Sequence, residues 1–112
     1  MHEASIVSGL MRVLLDHAAQ HGVDHICRVT VKVGRLRAVE PRALIGCFEA
    51  FAEETIAEGA ELVVVSVPIV GRCDDCGGEF EITGFLFRCT QCQSSEITLI
   101  SGQELYLDSF ET

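Results

Sequence analysis

The chain has 112 residues, of which 48% are hydrophobic, and its 17 acidic and 8 basic side chains give a formal net charge of −9. This length fits one domain, or a small domain with a smaller module, and the apolar content excludes a disordered protein. The acidic balance argues against nucleic-acid binding, while the lack of a long apolar run and of a basic leader predicts a cytoplasmic protein without a membrane span.

The first two predicted elements are a helix and a strand. Residues 4–21 carry apolar side chains at helical spacing, and Gly22 is a suitable end for that helix. Residues 27–33 alternate between apolar and polar side chains, which predicts a half-buried strand. The apolar stripe of the helix comprises Val7, Leu10, Met11, Leu14 and Ala18.

A second helix is expected to open at Glu40 and Pro41, because proline suits the first turn of a helix, and to end at Gly59. Residues 62–70 are rich in β-branched side chains, which predicts another strand, in which Pro68 marks either an edge strand or the exit. We expect Cys27 and Cys47 to be buried as small hydrophobic side chains. The apolar face of the second helix would comprise Leu44, Ile45, Phe48, Phe51, Ala52, Thr55 and Ile56.

Two short strands are expected near the end of the chain, over residues 96–100 and 104–110. The order of elements predicts an α/β fold in which two helices pack on a small mixed β-sheet, with an inserted four-cysteine module similar to a zinc ribbon. We therefore divide the chain into an α/β domain formed by residues 1–70 and 94–112, and a metal-binding module formed by residues 71–93.

The most specific motif is a pair of Cys-x2-Cys turns, formed by Cys73 with Cys76 and by Cys89 with Cys92. Two residues between paired cysteines let a tight turn aim both sulfur atoms inward, and two such turns close a four-thiolate cage. A structural Zn²⁺ ion is the favoured ligand, because four protein ligands leave no open position for water or substrate. A rubredoxin-like iron site and thiol–disulfide chemistry stay open as alternatives.

The spacer between the two cysteine pairs is expected to form a hairpin. Residues 79–82 and 85–88 alternate around Thr83 and Gly84, as two short strands joined by a turn would. A module of about thirty residues buries too little surface to fold alone, so the metal would stabilise it.

The opening Met1-His2-Glu3 is a second candidate metal site. The α-amine of Met1, the imidazole of His2 and the backbone nitrogens of His2 and Glu3 could surround one ion in a plane, which suits Ni(II) or Cu(II) rather than zinc. A histidine near the start of a chain has no metal role in most proteins, and Glu3 also suits the positive end of a helix dipole.

Several motifs together resemble the HypA/HybF family of nickel metallochaperones for hydrogenase maturation. The resemblance runs essentially from end to end, although Gln93 stands after the second cysteine pair where relatives often have glycine. The motifs that carry it are Met1-His2-Glu3 with Ser5, the positions Gly34, Leu36, Val39, Glu40, Pro41 and Leu44, residues 57–62 with Pro68, and the two cysteine pairs.

The resemblance implies that Ni(II) binds at the N-terminus through His2, with help from backbone nitrogens and the region of Glu3. It also implies structural zinc on Cys73, Cys76, Cys89 and Cys92. The expected partners are a nickel-insertion GTPase and the precursor of the [NiFe] hydrogenase large subunit, and some members of the family also support urease maturation.

Other patterns carry weaker signals. His17 and His21 lie four residues apart on the first helix and His25 follows, which would allow an auxiliary metal site only with a further ligand. No serine, cysteine or carboxylate is arranged with a histidine for nucleophilic catalysis, so we expect no enzymatic activity. The alternative functions are a zinc-ribbon interaction adaptor without nickel transfer and a rubredoxin-like electron carrier.

Overall fold

The structure is a computed structural model that describes residues 2–84 and 86–112. Over these residues the chain forms α1 (Glu3–Gln20), a 3-10 helix (Arg35–Arg37) and α2 (Pro41–Ala52). The strands are β1 (Arg28–Gly34), β2 (Glu61–Val67), β3 (Val70–Cys73), β4 (Glu79–Glu81), β5 (Ile97–Ser101) and β6 (Leu105–Glu111).

The strands form two sheets of three strands each. In the main sheet, of order β2-β1-β6, the central strand β1 is parallel to β2 and antiparallel to β6. In the second sheet, of order β4-β3-β5, both pairs are antiparallel. Two helices with a small mixed sheet and a clustered set of four cysteines confirm the predicted fold class.

Helix α1 follows the predicted pattern closely. Its buried residues lie three or four positions apart, as an amphipathic helix requires, and they join one core with the inward side chains of β1. The helix ends at Gln20, and the chain leaves it through Gly22, the expected stop, which has a φ of 66°. The Val23 N–H donates to the Ala18 carbonyl at 2.9 Å. The buried residues of α1 are Val7, Met11, Leu14 and Ala18.

The prediction that the second helix continues to Gly59 is wrong, because α2 ends at Ala52. Glu54 follows with a φ of 63°, a left-handed conformation that no α-helix can contain. The Thr55 hydroxyl then donates to the Ala52 carbonyl at 2.7 Å and satisfies an acceptor at the helix end. The chain therefore reaches β2 through a series of turns.

Two burial predictions near this region also need correction. Phe51 is 44% exposed, because Leu44, Phe48 and Ala52 occupy the inward face of α2 and leave Phe51 on its flank. Cys27 is exposed and Cys47 only half-buried. The position before β1 is held through its backbone, since the Cys27 N–H donates to the Glu111 carbonyl at 2.9 Å.

The predicted hairpin within the cysteine spacer is also wrong over the described residues. Residues 86–88 belong to no strand, and Phe85 lies outside the described residues. Strand β4 instead pairs with β3, in a register that sets Val70 opposite Glu81. Strands β3 and β4 thus form a hairpin that is connected by the first cysteine turn. The residues that pair with β4, 70–72, precede Cys73.

The expected strand near residues 96–100 forms, but it joins the second sheet. Strand β5 pairs with β3, with Cys73 opposite Ile97. The predicted division places this strand in the α/β domain of residues 1–70 and 94–112, not in the metal-binding module of residues 71–93. The exact boundary between two such units stays a proposal, whereas the pairing of β5 with β3 is a property of the fold.

The two sheets meet where the backbones of Gly34 and Gly102 cross. A β-carbon on Gly34 would lie 2.1 Å from the carbonyl carbon and oxygen of Gly102, so no larger residue fits without a backbone shift. The Leu36 N–H donates to the Gly102 carbonyl at 2.9 Å. An ion pair between Arg35 and Glu81, at 3.5 Å, links the 3-10 helix to the second sheet.

We expect Gly34→Ala to lower the free energy of unfolding by about 1–3 kcal/mol, because the new methyl group meets backbone atoms that cannot rotate away. Thermal unfolding of the metal-loaded protein measures this effect. Gly46→Ala is the matched control: its β-carbon would meet nothing within 4 Å on α2, and helix propensity predicts a gain of about 0.5–1 kcal/mol. Equal melting temperatures for the two variants would contradict the proposed close crossing.

Candidate metal centres

The first cysteine pair lies at the end of β3. Cys73 is the last residue of that strand, and the following turn brings the Cys76 N–H to 3.5 Å from the Cys73 sulfur. Gly77 has a φ of 77°, and its N–H donates to the Cys73 carbonyl at 2.8 Å. A side chain at this position would be strained, so the glycine after the second cysteine serves the geometry of the turn.

The second cysteine pair repeats the same turn without glycine. Gln93 has a φ of 65°, and its N–H donates to the Cys89 carbonyl at 3.1 Å. The amides of Gln91 and Cys92 point at the Cys89 sulfur from 3.3 and 3.4 Å. The second turn therefore forms with a glutamine in the left-handed region, although no glycine follows this cysteine pair.

The two turns face each other and bring four sulfur atoms together. All four lie within 4.8 Å of one another, and the Cys73–Cys92 and Cys76–Cys89 sulfur pairs are 3.5 Å apart. A tetrahedral ion with metal–sulfur bonds of about 2.3 Å requires sulfur separations of about 3.8 Å, so the cluster is close to that geometry. The predicted set of four cysteine ligands is thus brought together, with Cys73 and Cys89 buried.

Hydrogen bonds within the second turn prepare one thiolate for metal binding. The amide N–H groups of Cys92 and Gln91 donate to the Cys89 sulfur and lower the pKa of that thiol to about 6. Because the thiolate is the form that binds a metal, this sulfur is ionised at neutral pH before any ion arrives.

Two neighbouring thiols are shifted in the opposite direction. The Ser94 amide favours the Cys92 thiolate, but a hydrogen bond with Cys73, partial desolvation and the other thiols outweigh it and raise the pKa of Cys92 to about 12. The Gly78 amide likewise favours the Cys76 thiolate, and contacts with neighbouring thiols again prevail and raise the pKa of Cys76. Four thiolates in so small a volume repel one another, so only a cation can hold all of them ionised.

Two aspartates of the first turn tie the cluster to the segment that follows it. The Thr98 hydroxyl donates to the Asp74 carboxylate at 2.6 Å, and the Ser94 hydroxyl donates to the Asp75 carboxylate. Ser94 and Thr98 support the site, and sequence reasoning missed both, because their partners lie about twenty residues upstream and no local motif marks them.

The N-terminal candidate site lies at the start of α1. His2 is the N-cap residue and is exposed, and its carbonyl accepts from the Ile6 N–H at 3.2 Å. Met1 lies outside the described residues. The structure thus places the His2 side chain at the free end of a helix, where its imidazole is open to solvent.

Glu3 connects this helix end to α2. Its carboxylate accepts from the Glu40 N–H at 3.2 Å, and this bond is the largest cause of the lowered pKa of Glu3. The Glu40 carboxylate in turn accepts from the Ala43 N–H at 3.1 Å and caps α2. The beginnings of the two helices are therefore held together, a contact between residues far apart in the sequence that no local pattern indicates.

The histidines near the end of α1 and just after it do not assemble a site in the described part of the chain. Within those residues, the group that meets the distance limits for a metal ion consists of the four cysteines. His17, His21 and His25 are exposed and are not joined by further ligands. Among the helices that the structure describes, none is both long and apolar enough to cross a membrane.

Comparisons with known proteins agree with this arrangement. The family model described as "Hydrogenase/urease nickel incorporation, metallochaperone, hypA" matches residues 1–112. Hydrogenase maturation factor HypA of Desulfitobacterium hafniense strain DSM 10664 / DCB-2 is 40% identical over 111 residues, which cover 99% of this chain and 97% of the relative. The corresponding factor of Chlorobaculum tepidum is 41% identical over 110 residues, or 98% and 97% of the two chains.

Solved structures give the same result. The solution structure of the Ni metallochaperone HypA from Helicobacter pylori aligns with a TM-score of 0.71 and 31% identity, covering 99% of this chain and 97% of that one. A further solution structure of a HypA protein aligns with a TM-score of 0.74, also at 31% identity, and covers 99% and 95% of the two chains.

We expect the reduced, metal-free protein to bind one Co(II) ion with the visible absorption of a tetrahedral four-thiolate site, because four sulfurs already converge. Cys76→Ala should remove one ligand, change this spectrum and weaken binding. The control replaces Cys27 and Cys47 by alanine, which leaves the cluster intact and should leave the titration unchanged. A spectrum that depends on Cys27 or Cys47 would contradict the assignment.

Metal binding should also release protons at neutral pH. The pKa values of Cys76 and Cys92 are raised, so both thiols are protonated in the metal-free protein and must lose their protons to bind. The apparent affinity is therefore expected to weaken as the pH falls. Calorimetric titrations in two buffers of different ionisation enthalpy measure the release, and identical heats in both buffers would contradict it.

Proposed function

Since this chain belongs to the HypA family of metallochaperones for nickel incorporation into hydrogenase and urease, we propose that it binds Ni(II) at its N-terminus and delivers the ion during [NiFe] hydrogenase maturation. The ligands would be the free α-amine of Met1, the imidazole of His2 and the backbone nitrogens of His2 and Glu3. Nitrogen donors in a plane suit Ni(II), as they also suit Cu(II).

The observation that carries this proposal is the placement of His2 and Glu3. His2 is exposed at the N-cap of α1, so its imidazole is accessible to an ion and to a competing acceptor. The bond from the Glu40 N–H to the Glu3 carboxylate fixes the helix end on the body of the protein. The combination supports a site that is open to exchange yet held at a defined position.

The four-cysteine cluster has the opposite character, and its proposed occupant is a structural Zn²⁺ ion. Four sulfur donors at near-tetrahedral spacing suit zinc, and they leave no position for a substrate or water. Iron accepts the same donors, so the metal content of the purified protein decides between the two. A zinc-ribbon adaptor without nickel transfer is not favoured, because it leaves the family membership unexplained.

The proposed partners are a nickel-insertion GTPase and the precursor of the hydrogenase large subunit, with urease maturation proteins as further clients. The proposed compartment is the cytoplasm, where free thiols stay reduced. Four of the six cysteines form the cluster, and they bind a metal only as reduced thiolates. Transfer fits a carrier whose nickel ligands sit at an accessible terminus, since an acceptor can replace them one at a time.

We expect the native protein to bind one Ni(II) ion by calorimetry, and a version extended by two residues before Met1 to lose this binding. The extension keeps every side chain and removes only the free α-amine beside His2, which is one of the proposed ligands. His2→Ala should lose binding as well, whereas His21→Ala, which changes another exposed histidine, should have no effect. Equal nickel binding by the native and extended proteins would refute the proposed site.

A further inference from the structure

An apolar groove runs between α1 and the outer edge of β6. Its volume is about 460 Å³, and none of the described residues that line it is charged. Large apolar side chains on its two sides are exposed, Val13 by 45% and Tyr106 by 44%. The lining residues are Ser5, Ile6, Gly9, Leu10 and Val13 of α1, and Leu105, Tyr106 and Leu107 of β6.

The edge of β6 along this groove has no strand beside it within the described residues, because the sheet order is β2-β1-β6. The Glu104 carbonyl accepts from the Gly34 N–H at 2.7 Å and so points towards β1. Backbone groups alternate in direction along a strand, so those of Leu105 and Leu107 point outwards. An unpaired row of donors and acceptors therefore borders an apolar groove.

Free edges of this kind accept an additional strand from another chain. A strand placed beside β6 would lie next to the side of α1 that carries Ser5, Gly9 and Val13. Every second side chain of that strand would point into the groove towards Ile6, Leu10 and Val13, because side chains alternate between the faces of a sheet. The groove could therefore hold the apolar side chains of a fourth strand.

The overall charge of the chain indicates which kind of segment fits. The charged residues of β6 are both acidic, and each already faces a cation on β1: Asp108 lies 3.8 Å from Lys32, and Glu111 lies 2.7 Å from Arg28. The whole chain has a formal net charge of −9. Since β1 already neutralises both carboxylates of β6, the preference comes from the field of the whole acidic chain: two copies of net charge −9 repel each other, whereas a basic segment is attracted.

We propose that the groove between α1 and β6 docks an extended segment of a partner protein, in which apolar residues alternate with basic ones, as a fourth strand of the main sheet. The groove begins at Ser5 and Ile6, about one helical turn from His2. A partner seated there would thus lie beside the nickel ligands, a placement that rests on the proposed function, although strand addition itself requires no nickel.

The test uses ¹⁵N-labelled, zinc-loaded protein and the blocked peptide Lys-Val-Lys-Ile-Lys-Val-Lys. We expect the peptide to shift the amide resonances of β6 and of the groove side of α1, and to slow hydrogen exchange at the outward amides of Leu105 and Leu107. The same peptide with glutamate in place of lysine should bind at least about tenfold more weakly. Equal binding of both peptides, no binding, or shifts centred on β2 would overturn the proposal.

Val13→Lys provides the matched variant, because lysine is a good helix former and would repel the basic peptide. It should weaken peptide binding at least about tenfold. Val65→Lys is the control, since Val65 is an exposed valine on the opposite edge strand, β2, and should leave peptide binding unchanged. Both variants should retain the thermal unfolding of the parent.

Two further measurements separate this proposal from its alternatives. Nickel titration of Val13→Lys should match that of the parent. Weaker peptide binding with unchanged nickel binding then assigns peptide docking to the groove. If the parent protein binds no nickel at its N-terminus, the proposed function fails, but the peptide result still tests the docking proposal. Sedimentation equilibrium of the protein alone should give a monomer. A dimer that Val13→Lys dissociates would identify a second copy as the occupant and overturn the proposed partner.

Discussion

Strand β1 pairs along both of its edges, and both candidate metal centres depend on where that strand ends. Its inward valines are buried under the two helices, and its partners on either side are β2 and β6. At its last residue, Gly34, the backbone meets Gly102, next to the point where the second sheet joins the main one. The 3-10 helix then leads towards Glu40, whose N–H holds Glu3. The end of β1 thus helps to position two features: Glu40, which holds Glu3 near the N-terminus, and the second sheet, which carries the cysteine cluster.

The two centres are built by different physical means. The cysteine cluster depends on short-range geometry, since each turn aims amides at its own first sulfur and the low pKa of Cys89, about 6, follows from those amides. The proposed N-terminal site would depend on a tertiary contact between the starts of two helices. A cage of four thiolates suits an ion that stays, whereas an exposed imidazole at a chain terminus suits one that leaves. The proposed division between zinc and nickel follows from this contrast.

The features that could be predicted from sequence are those determined within a few residues. The stripe from Val7 to Ala18 predicts α1 because helical periodicity is local, and the spacing of the cysteines predicts their cluster. The errors concern choices between distant partners or single backbone conformations. Strand β4 pairs upstream with β3 rather than within the spacer, β5 joins the second sheet, and the left-handed Glu54 follows the early end of α2. The contact of Glu3 with Glu40 spans 37 residues and leaves no periodic trace in the sequence.

Any metal carrier must select one metal ion among several, and the acidic surface and the open edge of β6 both bear on that selection. A net charge of −9 attracts cations but does not select among them, and planar nitrogen ligands favour copper over nickel. Selectivity at the proposed N-terminal site would therefore arise from the availability of each metal and from which acceptor approaches the terminus. A groove that begins at Ser5 and Ile6 lies beside His2, so a partner docked there would present its own ligands at short range. In the proposed transfer, proximity would replace a high intrinsic preference for nickel, because ligands held close by act at a high effective concentration.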